Sequence, residues 1–180
     1  MNLAPGQVLC YVLSFTPSAV FSAVNVQIQA QASNTPPTNL LVGINTWLLR
    51  ATDILEPDII ALTTTTDFHQ IACSGASAFA VALSNVGAAA TGDITAVANS
   101  GSAILPLSIL IHETDPDTGV IIGDNILQNV DAGENRTVAV FVNYNDCINF
   151  DPALNRIFIE FKDATDKVVG STSTAVSTNR

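Results

Sequence analysis

Positive charge is scarce in this sequence: six Lys and Arg against sixteen Asp and Glu in 180 residues, for a formal net charge of −10. That excludes nucleic-acid binding, because a phosphate backbone requires a stripe of basic side chains. Docking on anionic membrane surfaces is disfavoured for the same reason. Negative charge is also missing from one region. Residues 1–52 contain no Asp or Glu and a single charged side chain, Arg50, so all sixteen acids lie from Asp53 onward. A segment facing water normally carries more charge than this. The first 52 residues are therefore expected to be covered.

Other absences narrow the class further. No apolar run is long enough for a spanning helix, so no membrane insertion is expected. The stretch "VLCYVLSFTPSAVFSAV" (8–24) is split by Pro17 and preceded by no basic residue, so it does not read as a signal peptide; an export signal would lie upstream. There is no G-x-S-x-G, no H-E-x-x-H, no P-loop and no glycine-rich dinucleotide fingerprint. His69 and His112 are the only histidines, and nothing in the sequence links either to a nucleophile or a ligand set. The chain is read as a non-enzyme without a cofactor. Aromatic residues make up 6%, with one Trp (Trp47, read as core) and two Tyr, little from which to build stacking platforms for sugars. The three cysteines, Cys10, Cys73 and Cys147, form no C-x-x-C. A Cys73–Cys147 disulfide and three small half-buried residues both fit, and the odd count leaves a free thiol or an intermolecular bridge.

What the chain does contain is strand material. It is 48% hydrophobic, mostly Val, Ile, Ala and Phe interleaved with Thr and Ser, the mixture that packs on a half-buried pleated surface. Strands are expected near 58–64, 78–85, 93–99, 103–113, 120–128, 136–143, 155–162 and 168–176, separated by turns such as "NSGS", "DPDTG" and "NVDAGEN". Short alternating strands at this spacing predict an all-β, antiparallel β-sandwich of the immunoglobulin-like kind.

The chain also repeats itself. "NLAPGQVLCYVLSFTP" (2–17) falls on "NVDAGENRTVAVFVNY" (129–144) at an offset of 127, and "LLVGINTWLL" (40–49) falls on "KVVGSTSTAV" (167–176) at the same offset, Gly43 on Gly170. Between them "VNVQIQAQ" (24–31) falls on "NRIFIEFK" (155–162) at an offset of 131, through a shorter preceding loop. A repeat of 127 residues leaves 53 of the 180 for an incomplete copy. The expected organisation is a partial sandwich made of C-terminal strands over 1–52, a linker over 53–57 carrying Pro57, and a complete sandwich over 58–180.

"ALSNVGAAATGDI", with its Asn85-Val86-Gly87 turn, and the closing "RIFIEFKDATDKVVGSTSTAV" resemble the bacterial immunoglobulin-like and fibronectin-III-like tandem repeats of large secreted or surface proteins. The resemblance implies the sandwich fold and an extracellular or cell-surface location; its motifs carry no functional residue across.

One acidic constellation has a ligand-like composition. "HETDPDTGVIIGDN" places Glu113, Asp115, Asp117 and Asp124 close together, and hard cations such as calcium take six to eight oxygens. The spacing is not that of an EF-hand, and a hairpin turn with Pro116, a capping Asp and Gly119 explains the same residues. Asp53, Glu56 and Asp58 form a second acidic group at the linker, read as solvated charge or a calcium-stiffened joint.

The reading is a structural or adhesive module of an extracellular sandwich array. The alternatives are a module binding glycan or calcium, a receptor-binding module, and a viral capsid or tail decoration domain. An incomplete sandwich leaves apolar side chains in water and strand edges open. Self-association through residues 1–52 is therefore expected, most simply two half-sandwiches closing on each other across a two-fold axis, with Tyr11, Leu13, Phe15, Val26, Ile28 and Trp47 at the interface; the alternative is that the segment folds back on the complete domain of its own chain.

Overall fold

The computed structural model describes residues 7, 10–31, 33, 36–40, 45–64 and 68–179. Among them no helix forms, so none is long and apolar enough to cross a membrane. Eleven strands form instead: β1 (Phe21–Gln27), β2 (Thr46–Ala51), β3 (Ile59–Thr63), β4 (Phe68–Ala72), β5 (Ala76–Asn85), β6 (Ile94–Asn99), β7 (Leu107–Thr114), β8 (Ile126–Leu127), β9 (Asn135–Tyr144), β10 (Arg156–Lys162) and β11 (Val168–Asn179). The chain is all-β.

From Ile59 onward the strands build two sheets, in the orders β3-β5-β9-β7 and β4-β11-β10-β6-β8. All pairings are antiparallel except β4 with β11. The opening stretch thus crosses over, β3 bonding to one sheet and β4 to the other, the arrangement of an immunoglobulin-like sandwich with a split first strand. Alternation sets which side chains face inward. Val81 lies opposite Val138 and Phe79 opposite Val140. Ile94, Ala96, Ile157, Ile159 and Phe161 meet them from the facing sheet, and all are buried. Burying each of the larger side chains stabilises by about 1.5–3 kcal/mol. Gly170 of β11 sits where a Cβ would come within 2.6 Å of Ile59 Cγ2, so glycine is what lets β11 close against β3.

Where the strand boundaries differ from expectation, the reasons are local. The run 120–128 yields only β8 and an isolated bridge from Ile121 to Thr114, because the chain there is spent closing the turn after β7. β4 has no signal in the sequence; "FHQIA" shows neither alternation nor a β-branched run.

Residues 58 and 56 are tied down by the turn that starts at Asn85, whose side chain is fully buried at the end of β5. Its Oδ1 accepts from the backbone N–H of Asp58 (3.0 Å) and Gly87 (3.1 Å). Its Nδ2 donates to the carbonyls of Ala89 (2.8 Å) and Val130 (3.0 Å). The N–H groups of Val86 and Ala88 then donate to the carbonyls of Asp58 and Glu56. The segment read as a linker is held against the sandwich at its C-terminal end.

Ahead of the sandwich, β1 and β2 form a separate antiparallel hairpin. The run "VLCYVLSF" (8–15) falls on β9 and so reads as a strand, but its described residues, 10–15, form none. In the sandwich β9 is held between β5 and β7, whereas among the described residues of 1–52 only β1 and β2 pair and no strand lies beside 10–15. A ladder with no neighbour cannot satisfy its backbone groups.

Candidate functional site

The hairpin is the part of the molecule whose surface is unlike the rest. Val26 lies opposite Trp47, Asn25 opposite Leu48 and Gln27 opposite Thr46. Carried through the sequence offsets of 131 for the first strand and 127 for the second, these pairs become Ile157–Thr174, Arg156–Ala175 and Phe158–Ser173. Those are the pairs that join β10 to β11. The hairpin therefore has the register of the last hairpin of the sandwich. A slip of one residue would have turned its apolar set to the other face.

The environments of the two hairpins differ. The positions equivalent to Tyr11, Leu13, Phe15, Val26, Ile28 and Trp47 are Val138, Val140, Val142, Ile157, Ile159 and Thr174, and each is at most 1% exposed. In the first segment Tyr11, Leu13, Phe15, Ile28 and Trp47 are between 42% and 78% exposed, and Val26 is half-buried. Trp47, expected in a core, instead stands on an open face with Phe15 edge-on to it, ring centroids 5.3 Å apart. Phe15 and the turn through Phe21 line a pocket together with Leu49. Arg50, the one charge of the segment, pairs with Glu56. Leu9 and Gly43 lie outside the described residues.

The carboxylates named from the sequence are committed elsewhere. Asp115 Oδ1 accepts from the N–H of Asp117 (3.1 Å) and from the N–H and hydroxyl of Thr118 (both 2.8 Å). Those bonds, the Thr118 hydroxyl foremost, hold the Asp115 carboxyl below its usual range. The loop is a capped turn, with Gly119 at φ +71°. Glu113 is buried and accepts from Arg136 Nη1 (2.6 Å), whose Nε donates to Glu134 (2.7 Å). Asp124 Oδ1 accepts from the N–H of Ile126 (2.9 Å), and Asp117 is exposed. The structure does not bring the four together as a cation site. Among the described residues no group of three or more His, Cys, Asp or Glu side chains converges. At the linker, Glu56 is engaged by Arg50, and the Asp58 N–H is used by Asn85.

The two histidines lie on different sheets, His69 on β4 and His112 on β7. His112 packs edge-on to Phe141 and has Nδ1 3.3 Å from the Gly123 carbonyl oxygen. Between the edges of β6 and β7 the sandwich opens into a cleft of about 620 Å³ lined mainly by Ala96, Leu105, Leu107, Ile109 and Ile111, with His112 and Asp124 at its rim. Cys73 and Cys147 form a disulfide that ties the turn before β5 to the loop after β9, and Cys10 is free and exposed.

No protein family and no curated protein matches the chain. Among solved structures, it is similar to domains 4 and 5 of the S-layer protein SbsC, at 13% identity and a TM-score of 0.35, over 79% of this chain and 63% of that one. The CARDB domain of PF1109 from Pyrococcus furiosus aligns at 11% identity and a TM-score of 0.32, over 69% and 90% of the two chains. PapD-like domain 7 of human CEP192 aligns at 9% identity and a TM-score of 0.33, over 72% and 91%. All three are β-rich, and the likeness extends to the fold class alone.

Proposed function

We propose that this chain is a non-enzymatic structural module of an extracellular sandwich array, and that it acts by self-association through residues 1–52. One observation carries the reading: six positions that are buried in the complete sandwich recur at the same sequence offsets within residues 1–52, the Val26–Trp47 pair in the register of Ile157–Thr174, and five of the six are 42–78% exposed. We read residues 1–52 as the last strands of an incomplete sandwich. Leaving such side chains in water forgoes about 1.5–3 kcal/mol each. Four or five of them approach the whole stability of a domain, about 5–15 kcal/mol. A surface of that kind marks a site of protein contact. The Cys73–Cys147 disulfide supports an oxidising compartment, hence the extracellular side.

Sedimentation velocity of the intact chain tests the reading. Association in the micromolar range is expected, and Ile28→Ser should weaken it at least tenfold. A single monomeric species up to about 100 μM, where even a weak contact of about 5.5 kcal/mol would register, would contradict it.

A further inference from the structure

A second surface of the molecule lacks charge, and the first segment does not cover it. Along β3-β5-β9-β7 the inward positions are those of the core, so the alternate ones face outward. Outward lie Ile60 and Leu62 of β3, Ala80 and Ala82 of β5, Phe141 of β9 and Leu110 of β7. Leu62 is 64% exposed, Leu110 59% and Ile60 49%. The remaining outward positions of these four strands are Ala, Ser, Thr, Asn and His112, so among the described strand residues no Asp, Glu, Lys or Arg points from this face, and Asp58 stands just before β3 at its edge. The outer face of the other sheet is ordinary by comparison, carrying Arg156, Glu160 and Lys162 on β10 alone. In a chain of net charge −10, a sheet face without a charged side chain is one that is covered.

We infer that the outer face of β3-β5-β9-β7 is the acceptor for the hairpin of a second copy, so that copies join head to tail. The inference rests on the self-association reading and names the surface that completes it. Shape argues for this pairing. The hairpin presents large side chains (Val26, Ile28 and Trp47), and the sheet presents a floor of alanines between Leu62, Phe141 and Leu110. It is the packing the sandwich itself uses, where Ile157 and Ile159 of the equivalent hairpin lie against the inner face of this same sheet. Charge argues for it as well. The hairpin segment carries only Arg50, whereas the rest of the chain carries five bases against sixteen acids. Hairpin on sheet therefore joins an uncharged face to a segment whose one charge is already paired with Glu56, so no like charges meet, whereas sheet on sheet would bring two acidic domains face to face. A chain's own hairpin does not reach this face: it lies beside Ala88 and Lys167–Val169, and Leu62 and Leu110 stay open. Because the two surfaces differ, the contact is heterologous and propagates from copy to copy.

Mixing two intact-chain variants tests this. Trp47→Lys spoils the hairpin and Leu62→Lys spoils the acceptor; both positions are solvent-exposed, so both variants are expected to fold, and Leu110→Lys is a second acceptor variant. By sedimentation, the wild type should form species larger than a dimer, and each variant alone should be monomeric, its association weakened more than tenfold. An equimolar mixture of Trp47→Lys and Leu62→Lys should give a dimer and nothing larger, since one good hairpin then meets one good sheet. Dimer formation also shows that both variants are folded. If Leu62→Lys and Leu110→Lys associate as the wild type does, the acceptor is elsewhere while self-association stands. If the mixture stays monomeric beside an associating wild type, the head-to-tail pairing is wrong. A monomeric wild type overturns both readings.

Discussion

Asn85 is the residue on which the closed sandwich most depends outside its apolar core. Its four side-chain hydrogen bonds end on backbone groups from three stretches of chain: residue 58, the turn at 87 and 89, and residue 130. The Asn-x-Gly signal is visible in the sequence as a turn, but its partners are not, because they come together only when β5 meets the loop before β9. Gly87 completes the arrangement: a Cβ there would lie 2.4 Å from the Glu56 carbonyl oxygen and from the Asp58 nitrogen. Asn85→Ala is expected to destabilise by about 3 kcal/mol, since one buried and three part-buried backbone groups lose their partner. Urea unfolding measures this, and a loss under about 1 kcal/mol would show that water replaces the side chain.

The acidic side chains tell the same story by their pH dependence. The Thr118 hydroxyl lowers Asp115, the Thr165 hydroxyl lowers Asp163, and the Asp131 N–H lowers Glu134. All three are easier to ionise folded than unfolded. Their contributions are present above the ordinary values, 3.8 for Asp and 4.5 for Glu, and are lost as pH falls through the lowered ones. Carboxyl NMR titration should give midpoints below 3.8 for Asp115 and Asp163, and thermal stability should begin to fall only below about pH 4.5. Ordinary midpoints would mean that the two turns are not capped in solution.

Among the elements, the two hairpins show what the sequence can and cannot disclose. The alignment of 24–31 with 155–162 and of 40–49 with 167–176 already contains the register in which Val26 meets Trp47. A periodic pattern fixes which residues share a face. It does not say whether a neighbouring strand is present, so residues 8–15, apolar like β9, read as a strand, and the described ones, 10–15, form none. The "DPDTG" carboxylates are legible as a turn or as ligands, and only the positions of Thr118 and Arg136 separate the two. The disulfide is legible as one option among several. It closes a loop of 74 residues, for which chain entropy gives a stabilisation of about 4.5 kcal/mol. Reduction, or Cys73→Ser with Cys147→Ser, should lower the unfolding midpoint by several degrees while leaving Cys10 free in both forms. An unchanged midpoint would mean that the bridge is absent in the native protein.

At the scale of the whole molecule, two populations of apolar side chains coexist. One is enclosed between two sheets; the other, open to solvent in a single copy, lies on the first segment, on a charge-free sheet face and in loops such as those of Ile54, Ile104 and Phe150. Composition alone points to the hairpin half of the second population, through the missing acids of residues 1–52. The partner surface is not legible in the same way, because an alanine floor flanked by Leu62, Phe141 and Leu110 is assembled from four strands far apart in sequence. Trp47 is the single tryptophan, so it reports on the hairpin without labelling. The most direct test is its emission spectrum as the intact protein is diluted from about 100 μM to 0.1 μM, a range that spans contacts of about 5.5–9.5 kcal/mol. If residues 1–52 are covered by another copy, emission is blue-shifted when concentrated and moves to the solvent-exposed position on dilution. Emission at the solvent-exposed position throughout, or a blue-shifted spectrum that dilution never changes, would contradict the account.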